Sequence, residues 1–364
     1  MWSVGIDAHH GLYVVCILDE SGRVVKEFRV KGHPKEVVAA LAELGRPLRV
    51  AFEASTGYGL LRDLLREVAG EVAVAHPGKL RLIFQGKRKN DRIDARKIAK
   101  LLLLDEIPRV HVPELPVREL RALVEHRMRL VNKRTRAKNG LRAMLRAHGL
   151  SAPRGKGLWT KAGRQWIRTL EFESPLTALK RDQLLEEVEY FDRTIAAVTR
   201  QLDRLATGDP RIALLRTIPG IGPRTSEAFL AYVDQPQRFG RGAQAGAYFG
   251  LTPCLDESAG KTRYGHITRE GPATVRRLLV EAAWRGKALS PSLGTLYERV
   301  RGGRKDRKAQ AIVAVARHLS EAMLVMLKTQ TPWEERLAEK KPAEKRPSEK
   351  RPAEKRPAEE VVAA

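Results

Sequence analysis

The chain of 364 residues has two cysteines, five per cent aromatic residues and far fewer acidic than basic side chains. Cys16, in an apolar run, and Cys254, beside a proline, make neither a disulfide framework nor a zinc site, so both read as structural thiols. No run of about 18 apolar residues and no amphipathic Lys/Trp helix is evident, which argues against a membrane protein. The opening Met1-Trp2-Ser3-Val4-Gly5-Ile6-Asp7 lacks a basic segment followed by an apolar one. No secretory signal is therefore expected, and the location is expected to be cytoplasmic. The motifs G-x-x-x-x-G-K-[ST] and G-x-S-x-G are also missing, which argues against a P-loop nucleotidase and a Ser/His/Asp hydrolase.

What is present is positive charge. Lys and Arg number 68 against 43 Asp and Glu, a formal charge of +25. That excess exceeds what solubility requires and implies a polyanionic partner, nucleic acid first. The length allows two domains with cores of their own.

Residues 1–110 alternate strand and helix signals, as in an α/β layer fold. Val4 and Ile6 begin a short strand ending at Asp7; Leu12 to Leu18 and Arg23 to Val30 complete a meander around the Asp19-Glu20-Ser21-Gly22 turn. Val37, Val38, Leu41 and Leu44 mark a helical stripe, Leu48 to Phe52 a buried strand running into Glu53, Leu60 to Val68 a helix and Glu71 to Ala75 a fifth strand. Asp7 and Glu53 thus end apolar strands, where open α/β sheets place ligand sites. In Lys87-Arg88-Lys89-Asn90-Asp91-Arg92-Ile93-Asp94, Asn90 is a good N-cap, and Asp91 and Asp94 share a face of the helix that follows. A charged helix start with Asp–Arg pairs is one reading of this stretch. The other joins it to Asp7 and Glu53 as an all-oxygen ligand set of the kind Mg²⁺ prefers. Two such ions would clamp the attacking and leaving oxygens of a phosphodiester.

A long helix is expected from Pro116 to about Leu150, with ten Lys/Arg between Arg118 and Arg146 against Glu119 and Glu125 alone. That imbalance favours phosphate contact, with Arg127, Lys133, Arg134 and Lys138 as candidates. The stretch around Trp159 and Trp166 reads as irregular, its tryptophans available for base stacking or packing. Leu184, Val188, Phe191, Ile195, Val198, Leu202 and Leu205 form a heptad seam that suits either an intrachain hairpin or a second subunit. Ile218-Pro219-Gly220-Ile221-Gly222 between helices has the look of a helix-hairpin-helix, with Gly220 and Gly222 allowing close approach to a phosphate backbone. A plain Gly/Pro turn is the alternative. Gly250-Leu251-Thr252-Pro253 leads to a loop with Ser258 flanked by Lys261 and Arg263, and helices follow at about 271–290 and 307–328. The repeats at Pro342, Pro347, Pro352 and Pro357 cannot bury a core and read as a disordered tail over 331–364.

This succession resembles the IS110/IS1111-type insertion-sequence transposases, to which Piv-type DNA invertases are related. The resemblance rests on the G-x-D strand, an E-(A/S)-(S/T)-G-like stretch at Glu53, K-x-D-x-x-D-A, the basic helix, I-P-G-I-G, G-L-T-P and the serine loop. It implies a RuvC/RNase H-like α/β N-terminal domain over 1–110, a basic helical coiled-coil region over 111–209 and a mainly α C-terminal domain over 210–330. It further implies a Mg²⁺-binding tetrad of Asp7, Glu53, Asp91 and Asp94, and a serine nucleophile at Ser258, with Thr262 as the alternative hydroxyl. Family members often show Ser-Gly or Ser-Ser-Gly where this chain has Glu257-Ser258-Ala259-Gly260. DNA strand exchange through a serine–DNA linkage, a bridge RNA partner, and homodimers assembling to tetramers are what the resemblance implies for function. Lys87, Arg88, Lys89 and Arg92 would then hold DNA beside the acids. A metal-dependent junction resolvase using water, and a non-catalytic nucleic-acid-binding protein, are the competing readings.

Overall fold

In the computed structural model β1 (Trp2–His9), β2 (Leu12–Leu18), β3 (Val24–Lys31), β4 (Leu48–Glu53) and β5 (Glu71–Ala75) form a five-stranded sheet in the order β3-β2-β1-β4-β5. β2 is antiparallel to both neighbours, whereas β1, β4 and β5 are parallel. Between and after them lie α1 (Pro34–Ala42), α2 (Tyr58–Leu65), α3 (Pro77–Ile83) and α4 (Asp91–Leu103). The structure describes residues 1–84, 90–152, 157–258 and 261–335, without the side chains of Ser258, Lys261 and Thr262. Lys87, Arg88 and Lys89, and the repeat tail from 336 onward, lie outside the described residues. The chain divides into two compact units, Met1–Leu120 and Arg121–Ala364.

The two faces of the sheet are built from different side chains. On one, Val4, Ile6, Val15, Ile17, Val50 and Phe52 pack with Val37, Leu41, Leu61 and Leu65 of α1 and α2. On the other the residues are small. Cys16 pairs with Gly5, Gly5 with Ala51 and Ala51 with Ala73, so a low row crosses four strands. α4 lies along it, with Ala95 and Ala99 against β1 and β2 and Ile98, Leu101 and Leu102 against β4 and β5. A Cβ on Gly5 would stand 2.1 Å from the Ala95 carbonyl oxygen and 2.4 Å from the Ala99 nitrogen. Arg96 fastens one flank by donating to Glu27 Oε1 at 3.0 and 2.8 Å. Cys16 is a packing thiol, pushed up to about 11 by burial and by Glu27. Cys254 differs from expectation, because it is exposed.

In the second unit, α5 (Leu115–Ala147, which begins before the boundary) and α7 (Pro175–Ala206) run antiparallel within one chain. Arg127 donates to Thr199 at 2.8 Å, Arg134 to Asp192 at 2.8 Å, and Leu184 packs over Gly140. Of the heptad seam, Val188, Ile195 and Leu202 are buried, while Leu205 is 56 % exposed. The stretch expected to be irregular contains α6 (Lys161–Arg168), capped by Thr160, whose hydroxyl accepts from the Gly163 amide. Trp159 packs under Lys138 and Arg142, with cations 5.0 and 5.1 Å from its ring centroid. Packing, not base stacking, therefore accounts for it.

α8 (Pro210–Leu215) and α9 (Pro223–Val233) flank the Ile218–Gly222 turn, with α10 (Ala243–Tyr248) after it. A hairpin of β6 (Pro253–Ser258) and β7 (Lys261–Ile267) replaces the expected loop, and α11 (Ala273–Leu289), α12 (Pro291–Arg301) and α13 (Lys308–Thr329) follow. α12 lies between the two helices expected here, with Ser290 as its N-cap and Pro291 in its first turn. Among the described residues α13 alone is long and apolar enough by composition to cross a membrane. Arg317, His318 and Glu321 interrupt its sequence, and one face of it, with Ile312, Val315, Leu319 and Met323, is buried in the unit, while Val325 is exposed.

Two consequences are measurable. Gly5→Ala forces α4 off the sheet and is expected to cost about 3 kcal/mol or more in urea unfolding. Glu227 on α9 is buried, and neither oxygen makes a hydrogen bond although Arg224 Nη2 lies 2.8 Å from Oε1. Burial pushes its carboxyl up to about 7 against the pull of Arg224. Such an acid favours the fold only while protonated, fully below its ordinary value near 4.5 and progressively less as pH rises through about 7. Glu227→Gln is thus expected to raise the melting temperature at pH 8 and to change it little at pH 5.

Candidate active site

Side chains alternate along β1, so Gly5, Asp7 and His9 share the face that α4 crosses. Ala51 and Glu53 share the corresponding face of β4. The parallel register pairs Ile6 with Phe52, which brings Asp7 and Glu53 to the same sheet end. α4 begins there too. Asn90 caps it by accepting from the Arg92 amide at 3.0 Å, and Asp91 and Asp94 occupy its first turn. The close approach allowed by Gly5 therefore sets the helix N-terminus against the end of β1.

Ligand atoms of Asp7, His9 and Asp91 all lie within 4.8 Å of one another. His9 Nε2 is 3.2 Å from Asp7 Oδ2 and 3.7 Å from Asp91 Oδ1. Asp94 is near enough to act on Asp7 electrostatically, and its Oδ1 lies 3.8 Å from Lys97 Nζ. Burial raises the Asp7 carboxyl above the usual range; His9 opposes this, and Asp91 and Asp94 add to it. Oxygen donors that converge on a partly buried carboxyl suit a divalent cation, whose charge would offset both the burial and the mutual repulsion of the acids. Glu53 sits on the same face one strand away but is outside the tight group. Sequence reasoning missed His9. The period of two that makes Asp7 face α4 also selects His9.

The basic candidates divide. Arg92, Lys133 and Arg263 are exposed. Arg127 and Arg134 are tied to Thr199 and Asp192, and Lys138 to Trp159. Gly220 has φ +93°, and a Cβ there would meet the Gly286 nitrogen at 2.6 Å, so packing on α11 explains this glycine. Gly222 faces open space at the start of α9.

Ser258 ends β6, paired across the hairpin with Lys261. Beyond its base, where Ile267 is half-buried, the described side chains on both faces, including Leu255 at 58 % and Tyr264 at 74 %, are exposed. The root is rigid by contrast. Gly250 has φ +63° and a Cβ would stand 2.4 Å from the Glu270 carbonyl, while Arg276 Nη1 donates to the Phe249 and Glu270 carbonyls at 2.9 and 2.8 Å. The glycine of G-L-T-P is thus demanded by the hairpin's base.

Two family models match this chain: a DEDD-type IS110 transposase over residues 4–149, and the IS116/IS110/IS902 transposase family over residues 212–298. The chain belongs to the IS110 family of transposases. A probable family 20 transposase of Pseudomonas aeruginosa is 28 % identical over 282 residues, covering 77 % of this chain and 78 % of that protein. The transposase of insertion element IS1111A from Coxiella burnetii is 26 % identical, over 77 % and 76 %. A putative transposase, y4qE, of Sinorhizobium fredii is 29 % identical over 63 % of this chain and 56 % of its own length. Membership makes this IS110-family chain a DNA-processing enzyme. The first matched stretch holds Asp7, Glu53, Asp91 and Asp94, and the second holds Ser258.

In metal-free buffer, Asp7→Asn removes one of the crowded carboxylates. It is expected to raise the melting temperature by about 3 °C, roughly what 1 kcal/mol gives a domain of this size. Added Mg²⁺ is expected to raise the melting temperature of the unaltered protein but not that of the variant.

Proposed function

We propose that the transposase cleaves and rejoins DNA strands at Asp7, Glu53, Asp91 and Asp94, with Ser258 as nucleophile. The observation that carries this reading is the convergence of Asp7 and Asp91, with Asp94 beside them, at one sheet end within the DEDD-type stretch. The strand order β3-β2-β1-β4-β5, with β2 reversed, supports a RuvC-like N-terminal domain.

The four carboxylates would hold Mg²⁺, which when bound neutralises phosphate charge and makes a hydroxyl a better nucleophile. Ser258 Oγ attacks the scissile phosphorus, its bond to phosphorus forms, and the bond to the 3′ oxygen breaks. The departing oxygen takes a proton and leaves a free 3′ hydroxyl, while the 5′ phosphate stays on the serine. A second strand's 3′ hydroxyl then attacks that phosphate and releases the serine, so no nucleotide triphosphate is consumed. Lys87, Arg88, Lys89 and Arg92 precede or begin α4 and would hold the scissile strand, with Lys261 and Arg263 doing so at the hairpin. The exposed cations of α5, Lys133 among them, suit a bridge RNA. Dimers assembling to tetramers would bring the acids of one subunit to the serine of another.

The test is incubation with Mg²⁺, element-end DNA and co-purified RNA, followed by denaturation and mapping of any protein–DNA adduct. An adduct on Ser258 is expected, with cleavage reduced at least about 1000-fold in Ser258→Ala and in Asp91→Asn. Cleavage without an adduct would point to water as nucleophile, as in a junction resolvase. Unchanged function in Asp91→Asn and Asp94→Asn would point to a non-catalytic nucleic-acid-binding protein.

A further inference from the structure

His9 lies outside the carboxylate tetrad, yet the fold delivers it to the same place. It is the last residue of β1, two beyond Asp7 on the α4 face. The side chain is 43 % exposed, so nothing in the core requires an imidazole there. Its Nε2 is the atom turned inward, 3.2 Å from Asp7 Oδ2 and 3.7 Å from Asp91 Oδ1. Adjacent ligands on an octahedral ion with bonds of about 2.0–2.1 Å are about 2.9 Å apart, and opposite ligands about 4.2 Å. The two separations fall in that interval, and the three atoms stay within 4.8 Å of one another. His10, the next residue, lies beyond β1 in the turn into β2.

We propose that His9 is a nitrogen ligand of the metal centre and that it tilts the site from Mg²⁺ toward first-row transition ions, with Mn²⁺ as the accessible case. The inference rests on the reading of Asp7 and Asp91 as metal ligands. Mg²⁺ favours an all-oxygen shell and gives up its water reluctantly, whereas transition ions accept imidazole. Replacing one oxygen position by His9 Nε2 therefore separates these ions further than the carboxylates alone would.

The experiment uses the full chain with Mn²⁺ alone. Electron spin-echo spectroscopy reads ¹⁴N coupling to the bound ion, and titration calorimetry with Mg²⁺ competition reads the preference. The unaltered protein is expected to show ¹⁴N coupling that His9→Ala abolishes and His10→Ala keeps. His9→Ala is also expected to lower the Mn²⁺-over-Mg²⁺ preference about tenfold, within the range that shell changes produce. Mn²⁺ binding that needs Asp7 but shows no ¹⁴N coupling overturns the role of His9 and leaves the carboxylate site standing. Mn²⁺ binding indifferent to Asp7→Asn overturns both.

Discussion

The backbone of α4 resting directly on Gly5 is the contact from which the site follows. Cys16, Gly5, Ala51 and Ala73 form a shallow row across the sheet, and Ala95 and Ala99 complete it from the helix. Large side chains on this face would lift α4 and carry Asp91 and Asp94 away from Asp7. The opposite face carries Val, Ile and Phe, so bulk is confined to where it does not set this spacing. Arg96 on Glu27 fixes the helix laterally, and Asn90 fixes where it starts. Apolar packing thus holds charged groups at a separation they would not choose in the absence of a cation.

The second unit solves a different problem. Gly250, Gly271 and Arg276 clamp the base of the β6–β7 hairpin through close backbone approach and carbonyl contacts. The strands beyond this base have exposed side chains on both faces. A two-stranded hairpin is marginal alone, and a partner surface would supply the burial it lacks. The long helices show the same division of labour. Part of the positive charge of α5 ties it to α7 and to Trp159, and the exposed remainder is available to phosphate.

Much of the first unit was legible because its physics is local. The five strands, the Asn90 cap and the strand-end acids are readable from runs, turns, caps and spacing, and the family resemblance unites the acids. His9 was overlooked because it lies beyond the apolar run, although the same alternation covers it. The hairpin was read as a loop since strands exposed on both faces show no apolar alternation. Charge counts could not separate Arg134, paired with Asp192, from exposed Lys133, because that depends on which way α5 is rotated. Gly220 was read toward DNA when its close neighbour is the backbone of α11. Here a glycine's freedom was visible in sequence and its reason was not.

The most direct measurement of the central claim is a crystal structure with Mn²⁺ diffused in, the ion located by its anomalous scattering. The account predicts an ion at the end of β1 bonded to Asp7 and Asp91, with α4 still seated on Gly5. An ion bound elsewhere with that end of the sheet empty, or α4 displaced from Gly5 while Asp7 and Asp91 still share the ion, would contradict it.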